Sequence, residues 1–327
     1  QESARQYRYE LLGKFCEDEK ILHLLVGHHS SDQKETYLMR KWSKSGFIGL
    51  AGMSAVRELH SYRIIRPLLN FDPSALKIFL KKNKIRWIED NSNSDEAFLR
   101  VKARKHLSKE PNVNQKKFAV ERVSFEKKLN RWLACFAEVS QAGFVSIDFD
   151  EFRGLRDKYR EYILSRAIVT VAGLNYPPST PRLIEISNHF KNSINQKTLG
   201  GCLVLKKGNK LFCCREIRAK EPEVNIIDKE TVIWDRRFRI KLSEFNKKSV
   251  KLLRLGRKGF DQLSNAGYYK VTCKVPKVAY MSLPALWERG KVVVVPQFGV
   301  KQGVQTEMIA VFSPLQPLVP PNFVVVN

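Results

Sequence analysis

Short apolar runs alternate with capped helices in the N-terminal third of the chain, and this alternation constrains the fold more than any other feature. A helix is predicted over residues 3–20, and the apolar run 23–27 after it predicts a buried strand. Ser30 and Gln33 have the spacing of a capping box, so a second helix should begin there and end near Ser43. A strand that enters a helix through a short turn is typical of α/β folds, in which ligands bind at the carboxyl end of the strand.

The alternation continues further along the chain. Ile64 and Ile65 indicate another strand, and Asp72 followed by Pro73 predicts the start of a helix over 74–83. A further strand is predicted over 85–88 and a basic helix over 95–107. These strands are too few for a complete sheet, so residues 1–108 are predicted to form an incomplete, Rossmann-like α/β domain.

Beyond residue 108 the pattern changes. Helices are predicted over 116–141, 158–173 and 182–191, and a hairpin over 203–214, which together indicate a mainly helical middle domain at 109–220. Residues 221–327 are predicted to form a small strand-rich domain, with strands over 231–234, 238–242, 250–255, 268–275 and 291–295.

The charge of the chain points to a polyanionic partner. It has 327 residues, and 58 Lys and Arg against 33 Asp and Glu leave a net charge of +25. Such a surplus attracts nucleic acid or anionic lipid, although a generally basic proteome would produce it too. No apolar run approaches the roughly 20 residues of a spanning helix, so no membrane partner is expected. The six cysteines are scattered, which suits a reducing cytoplasm and predicts neither disulfides nor a metal framework.

The turn after the first strand concentrates side chains that can carry chemistry. His28, His29, Asp32 and Glu35 lie within eight residues, and the two acids are one helical turn apart. Carboxylates there can bind an ammonium group, and a neutral His can contact phosphate or move a proton. The spacing is not usual for zinc, so no metal ligands are assigned. A capped helix with solvated acids explains the same residues equally well.

Longer motifs favour a catalytic interpretation. Residues 27–36, G-H-H-S-S-D-Q-K-E-T, resemble the H-H-x-x-D-Q-x-E-T signature of the tRNA(Ile)-lysidine synthetase family, which belongs to the N-type ATP pyrophosphatases. Five further blocks resemble that family in the same order: Ala4-Arg5 with Arg8-Tyr9, Lys44-Ser45-Gly46 with Gly49-Leu50 and Gly52-Met53, Arg66-Pro67-Leu68-Leu69, Trp87 to Asp95, and Phe98 with Arg100 and Arg104. The blocks cover about 100 residues, with looser matches at 198–202, 215–216, 283–287 and 295–296.

The resemblance implies an adenine nucleotide alpha hydrolase-like sheet and a two-step ligation in the cytoplasm. ATP would adenylate the wobble cytidine of an isoleucine tRNA with a CAU anticodon, and the amine of free L-lysine would then displace AMP. Asp32 and Glu35 would hold the cationic lysine. His28 would contact the phosphate or the adenylate. A homodimer is compatible with this assignment.

Basic residues of the other blocks would act on phosphate. Arg5 and Arg8 would neutralise the charge of ATP or of the adenylate. Arg100 and Arg104 would face the tRNA backbone or the reacting phosphate. The alternative for this last pair is a solvated basic helix face.

The sequence also departs from the family pattern. Ser45 follows Lys44 where the family has Arg-Gly-Ser, and Asn91 and Val101 replace Pro and Asn. No S-G-G-x-D-S loop occurs in the 327 residues. That loop cradles the phosphates of ATP and helps to hold Mg²⁺ in the family. The sequence is therefore interpreted as the family's protein without the first part of its ATP-binding domain, and the chain alone is expected to form lysidine poorly.

Two other functions remain open. A non-catalytic tRNA-binding remnant would use the positive charge of the middle and C-terminal regions for salt-dependent binding. Another tRNA-modifying N-type ATP pyrophosphatase, such as a tRNA thiolase, would be expected to use cysteines near the nucleotide domain. Only Cys16 lies there, outside every motif.

Overall fold

The chain divides into two compact units. The structure is a computed structural model that describes residues 2–59, 61–88, 99–109, 115–192, 196–217, 231–242, 250–269, 275–303 and 306–325, with the backbone alone for 2–6, 108 and 109. Unit 1 comprises residues 1–128 and 321–327, and unit 2 comprises 129–320. The domain boundaries at 108/109 and 220/221 stay predictions.

Unit 1 contains a small sheet and several helices. Its strands are β1 (His23–Leu25), β2 (Val56–Glu58) and β3 (Arg63–Ile65). Its helices are α1 (Glu2–Asp18), α2 (Ser30–Trp42), α3 (Phe47–Leu50), α4 (Pro73–Lys82) and α5 (Leu99–Lys109), and α6 (Gln115–Phe136) begins here and ends in unit 2.

The sheet of unit 1 has the order β1-β3-β2. β1 pairs with β3 in parallel, whereas β2 pairs with β3 antiparallel. The parallel pair confirms the α/β class predicted for this region. The prediction that β1 is buried is wrong, because β1 lies at the edge of the described sheet and Leu25 is 64% exposed.

Helix α1 packs closely against the residue that precedes β3. A Cβ on Gly13 would lie 2.8 Å from Cε1 of Tyr62, so a larger residue there would force the Tyr62 ring or the helix to move. Cys16, Tyr62 and Ile64 form the buried cluster beneath it. The apolar side chains on the outer face of α1 are exposed: Tyr7, Leu11 and Phe15.

The strand predicted over 85–88 is wrong. The amide of Ile85 donates instead to the carbonyl of Leu80 at 3.0 Å, and Lys84 has a φ of +56°. The segment therefore ends α4, in the manner of a left-handed helix cap. Ile88 is 96% exposed, so it contributes nothing to the core of a sheet. The basic helix predicted over 95–107 corresponds to α5, and its first four residues lie outside the described part of the chain.

Unit 2 begins with the predicted helical region and ends with the predicted strand-rich region. Its helices are α7 (Phe149–Gly154), α8 (Asp157–Ala172), α9 (Thr180–Asn192), α10 (Gly256–Asn265) and α11 (Lys277–Met281), with a short 3-10 helix at Pro296–Phe298. Its strands are β4 (Ala137–Val139), β5 (Val145–Asp148), β6 (Lys197–Leu199), β7 (Cys202–Lys207), β8 (Lys210–Arg215), β9 (Val232–Trp234), β10 (Phe238–Leu242), β11 (Val250–Arg254), β12 (Pro284–Glu288), β13 (Lys291–Val295), β14 (Val300–Lys301) and β15 (Met308–Phe312).

These strands form three sheets, with the orders β4-β5-β8-β7-β6, β15-β10-β9 and β11-β12-β13-β14. The pairings are antiparallel, and the predicted hairpin is confirmed as β7 and β8. The first sheet packs with helices α8 and α9 of the middle region, and the other two belong to the strand-rich C-terminal region, as predicted.

Several predicted boundaries in unit 2 are wrong. The helix predicted to reach Gln141 ends at Phe136, because Ala137 to Val139 pair with β5. The strand predicted over 268–275 begins in a turn after α10, where the amide of Tyr268 donates to the carbonyl of Leu263. Residues 270–274 lie outside the described residues.

A buried ion-pair triad ties together the core of unit 2. Asp235 accepts from the guanidinium of Arg215 at 2.8 and 3.0 Å and from Nε of Arg237 at 3.0 Å. Arg237 is fully buried and also donates to the carbonyls of Gly143 and Ser282. Burial lowers the pKa of Arg237 to about 10, although Asp235 partly opposes this. Burial alone would raise the pKa of Asp235, but the two arginines hold it below its usual value.

Among the described residues, no helix is both long and apolar enough to cross a membrane.

Candidate active site in the β1–α2 turn

The candidate site lies where β1 and β3 end. Because these strands are parallel, their carboxyl ends meet at one edge of the sheet, and the amide of Val26 continues the pairing by donating to the carbonyl of Ile65 at 2.9 Å. His28 and His29 follow directly and are both half-buried. The amide of Ser30 donates to the carbonyl of Phe71 at 3.0 Å, which holds the turn against the start of α4.

Helix α2 begins one residue from where its capping box was predicted. The helix starts at Ser30, but its N-cap is His29, whose backbone N–H donates to Oδ2 of Asp32 at 2.9 Å. Nδ1 of His29 lies 3.5 Å from the same oxygen. Gln33 does not cap the helix, because its side chain binds another segment. The cap fixes the Asp32 carboxylate at the positive end of the helix.

Two arginines of α5 bind the acids of α2. Arg100 donates from Nε to Oε2 of Glu35 at 2.7 Å and from Nη2 to Oδ1 of Asp32 at 2.8 Å. Nε of Arg104 donates to Oε1 of Glu35 at 2.8 Å. We call these four residues, Asp32, Glu35, Arg100 and Arg104, the α2–α5 network. It unites four of the five residues predicted to be catalytic.

Burial within the α2–α5 network is uneven. The side chain of Glu35 is 0% exposed and that of Asp32 is 15% exposed, whereas Arg100 and Arg104 are 33% and 48% exposed. A carboxylate without contact to water needs charged partners, and the two guanidinium groups supply them. The network therefore offers acidic groups inside the protein and basic groups at its surface.

Gln33 is a site residue whose role the sequence did not reveal. Its side-chain Oε1 accepts from the amide of Met53 at 2.7 Å, and its Nε2 donates to the carbonyl of Met53 at 2.8 Å. Gly52 has a φ of +77°, and a Cβ there would lie 1.8 Å from Nε2 of Gln115. Gln33 thereby links the two motif blocks at 27–36 and 44–53. The sequence signal for this role was the presence of Gln33 in the H-H-x-x-D-Q-x-E-T signature.

The remaining predicted residues lie outside the α2–α5 network. Arg5 and Arg8 are in α1; Arg8 is exposed, and the side chain of Arg5 is outside the described residues. His28 occupies the turn between β1 and α2. Within the described part of the chain, no group of three or more His, Cys, Asp or Glu side chains could hold a metal ion.

Comparison with known proteins connects this geometry to a family. A family model described as a PP-loop domain matches residues 1–111, which contain the whole α2–α5 network. A tRNA(Ile)-lysidine synthase of Rickettsia bellii is 32% identical over 254 residues, or 73% of this chain and 58% of that protein. That of Wolbachia pipientis is 33% identical over 250 residues, or 72% and 57%. That of Rickettsia akari is 27% identical over 332 residues, or 96% and 76%.

The chain thus spans little more than half the length of the first two relatives. The similarity nevertheless extends from the PP-loop region, which contains the motif blocks of residues 4–104, well into unit 2. The chain belongs to the tRNA(Ile)-lysidine synthase family of PP-loop proteins.

Proposed function

We propose that this chain acts in the ATP-dependent ligation of lysine to the wobble cytidine of an isoleucine tRNA with a CAU anticodon. The observation that carries the proposal is the α2–α5 network, which places two acids and two arginines together at the carboxyl end of a parallel strand pair. The reaction needs both kinds of group, because one substrate is an ammonium ion and the other substrates are phosphates.

The proposed roles follow from the chemistry of each side chain. Asp32 and Glu35 accept hydrogen bonds from the ammonium of lysine and orient its amine. Arg100 and Arg104 stabilise phosphoryl oxygens of the adenylate or the tRNA backbone. His28 contacts the adenylate from the β1–α2 turn, and Arg5 and Arg8 neutralise charge on ATP. The cytidine is first adenylated with loss of pyrophosphate, and the lysine amine then forms the carbon–nitrogen bond as AMP departs.

The nucleotide would be held largely by a phosphate-binding loop. The family places ATP and Mg²⁺ on an S-G-G-x-D-S loop, which the 327 residues do not contain. Among the described residues there is no group of three or more His, Cys, Asp or Glu side chains that could hold a metal ion. We therefore propose that the chain alone ligates lysine poorly and that its part of the site serves mainly lysine and tRNA, with Arg5, Arg8 and His28 assisting at the nucleotide.

The net charge of +25 supports a tRNA partner. Each phosphate neutralised by Lys or Arg releases bound counterions, so tRNA affinity should fall steeply as salt increases. The work would take place in the cytoplasm, where tRNA, ATP and free lysine occur together. A homodimer is the proposed assembly, which sedimentation of the purified chain tests.

The deciding experiment separates binding from ligation. Purified chain is mixed with CAU-anticodon isoleucine tRNA, ATP and labelled lysine, alone and after fusion to a segment that carries an S-G-G-x-D-S loop. We expect salt-dependent tRNA binding in both cases and label transfer only with the fusion. The Asp32→Asn fusion serves as the control that should lose transfer.

Two results would contradict the proposal. Label transfer by the unfused chain would overturn the expected impairment. tRNA binding by the fusion without any transfer would favour the second candidate, a non-catalytic tRNA-binding protein, which the net charge of +25 would also suit.

A further inference from the structure

Helix α4 lies at the surface of unit 1 and begins beside the candidate site. The carbonyl of Phe71, two residues before the helix, accepts from the amide of Ser30 in the β1–α2 turn at 3.0 Å. None of the ten residues of α4, all of which the structure describes, is buried. The helix rises about 15 Å from its first residue to its last. A ligand bound along α4 can therefore continue into the candidate site.

One face of α4 presents apolar side chains to solvent. Ile78 is 67% exposed and Phe79 is 60% exposed. Lys82 follows them by four and three residues, so it lies one helical turn further along the same face. This face therefore combines an aromatic ring, an aliphatic side chain and an ammonium group within one turn.

The charge around this face has a single sign. Residues 73–88 contain no Asp or Glu, and their basic residues are all exposed: Lys77, Lys81, Lys82, Lys84 and Arg86. Such a field attracts a polyanion. A helix that lies on a lipid surface keeps its cations on the polar face, whereas Lys82 shares the apolar face. RNA fits this arrangement better, because a single strand offers flat bases and phosphates in alternation.

We propose that residues 73–88, which we call the α4 surface, bind unpaired nucleotides next to the wobble cytidine. An unpaired base stacks on the ring of Phe79, and Lys82 and Lys84 bind the flanking phosphates. This inference rests on the proposed tRNA substrate and assigns part of its binding to these residues. Because every base has a flat face, the α4 surface contributes affinity and position rather than sequence selectivity.

The test measures how tightly the full chain binds an RNA hairpin that copies the anticodon stem and loop of the CAU isoleucine tRNA. Phe79→Ala should raise the dissociation constant about tenfold, which corresponds to about 1.4 kcal/mol and lies in the range for one stacked base. Phe79→Trp keeps an aromatic face and should bind as the unchanged chain does. Phe15→Ala is the matched control: it removes a phenylalanine of α1 that is 59% exposed, and it should leave the constant unchanged.

Salt dependence tests the phosphate contact separately. The logarithm of the association constant falls linearly with the logarithm of the salt concentration, and Lys82→Gln should reduce that slope by about 0.7, the value for one phosphate of a single strand. Lys14→Gln removes an exposed charge of α1 and should leave the slope unchanged. Circular dichroism shows whether each variant folds. If Phe79→Ala does not fold, an unaltered slope in Lys82→Gln would overturn the inference.

The outcomes distinguish this inference from the proposed function. If the unchanged chain binds the hairpin and Phe79→Ala binds it equally well, the α4 surface is wrong while the tRNA partner stands. If the unchanged chain binds neither the hairpin nor the whole tRNA, both are wrong. A blunt RNA duplex that binds as tightly and loses as much in Phe79→Ala would exclude stacking on an unpaired base. If Phe79→Ala weakens binding to vesicles of anionic lipid but not to RNA, the surface binds membrane instead.

Discussion

The side-chain amide of Gln33 makes a pair of hydrogen bonds with the backbone of Met53, accepting from its N–H at 2.7 Å and donating to its C=O at 2.8 Å. The two hydrogen bonds resemble those between neighbouring β-strands, but here they join a side-chain amide to the backbone of a loop. They hold the segment after α3 against α2, one residue from Asp32. The shape of the candidate site therefore depends on a residue that is assigned no chemical role.

Replacing Gln33 by Ala should destabilise unit 1. Two backbone groups of Met53 lose their partners, which costs about 1–3 kcal/mol in the free energy of unfolding. Urea unfolding measures this, and hydrogen exchange at the Met53 amide should accelerate. Lys34→Ala, at the exposed neighbouring position, should change stability by less than about 0.5 kcal/mol. Equal effects of the two variants would contradict the role given to Gln33.

Gly52 should tolerate no side chain. Its φ of +77° is in the left-handed region, and an added Cβ would lie 2.5 Å from Oε1 of Gln33. Gly52→Ala should cost at least about 1–2 kcal/mol from the backbone alone. Gly46 provides the matched control, since it has a φ of −68° and no atom within 4 Å of a built Cβ. Thermal unfolding of both variants tests this, and a Gly46→Ala loss as large as that of Gly52→Ala would contradict it.

The triad of unit 2 should make stability depend on pH. Arg215 and Arg237 hold the pKa of Asp235 below its unfolded value of about 3.9, so the stabilisation is present above that pH and is lost as the pH falls through the folded pKa. Asp235→Asn should cost about 3–5 kcal/mol at pH 7, because Arg237 stays buried without its counter-ion. The difference should shrink below about pH 4 as Asp235 is protonated.

Urea unfolding at pH 7 and at lower pH measures this difference. Asn suits the position because Asp235 has a φ of +49°, which Asn tolerates. Asp150→Asn, at an exposed site, is the control and should have little effect at either pH. A penalty for Asp235→Asn that stays constant with pH would count against the triad.

The C-terminal segment of unit 1 should protect the loop beside β2. Phe323 is buried with Ala51 and Ala119, and the carbonyl of Val324 accepts from the amide of Ala55 at 2.9 Å. Phe323→Ala should weaken this attachment by about 3 kcal/mol, the lower end of the cost of a buried Phe. Hydrogen exchange at the Ala55 amide should accelerate, whereas Val325→Ala, at an exposed position, should leave it unchanged. Unaltered exchange in Phe323→Ala would show that the segment does not protect Ala55.

Local patterns predicted part of the fold well. Asp72 and Pro73 start α4 as expected, and the hairpin of β7 and β8 lies where its apolar runs indicated. Predictions of secondary structure failed where the conformation of a segment depended on hydrogen bonds to another segment. Residues 85–88 have the composition of a strand, yet they follow the C-terminal cap of α4. Helix α6 ends earlier than predicted because Ala137 pairs with Ile147 in a sheet. Propensity cannot reveal whether a neighbouring strand is present to complete the hydrogen bonds.

The motif blocks, the surplus of positive charge and the shared face of the two acids in α2 could be predicted without a structure, because each depends only on residue type and helical spacing. The sequence placed Arg100 and Arg104 on one helix but left their partners open. The folded chain shows that both arginines meet Glu35, which lies 65 and 69 residues away along the chain. The physical reason is burial: Glu35 has no contact with water, and two guanidinium groups replace that water.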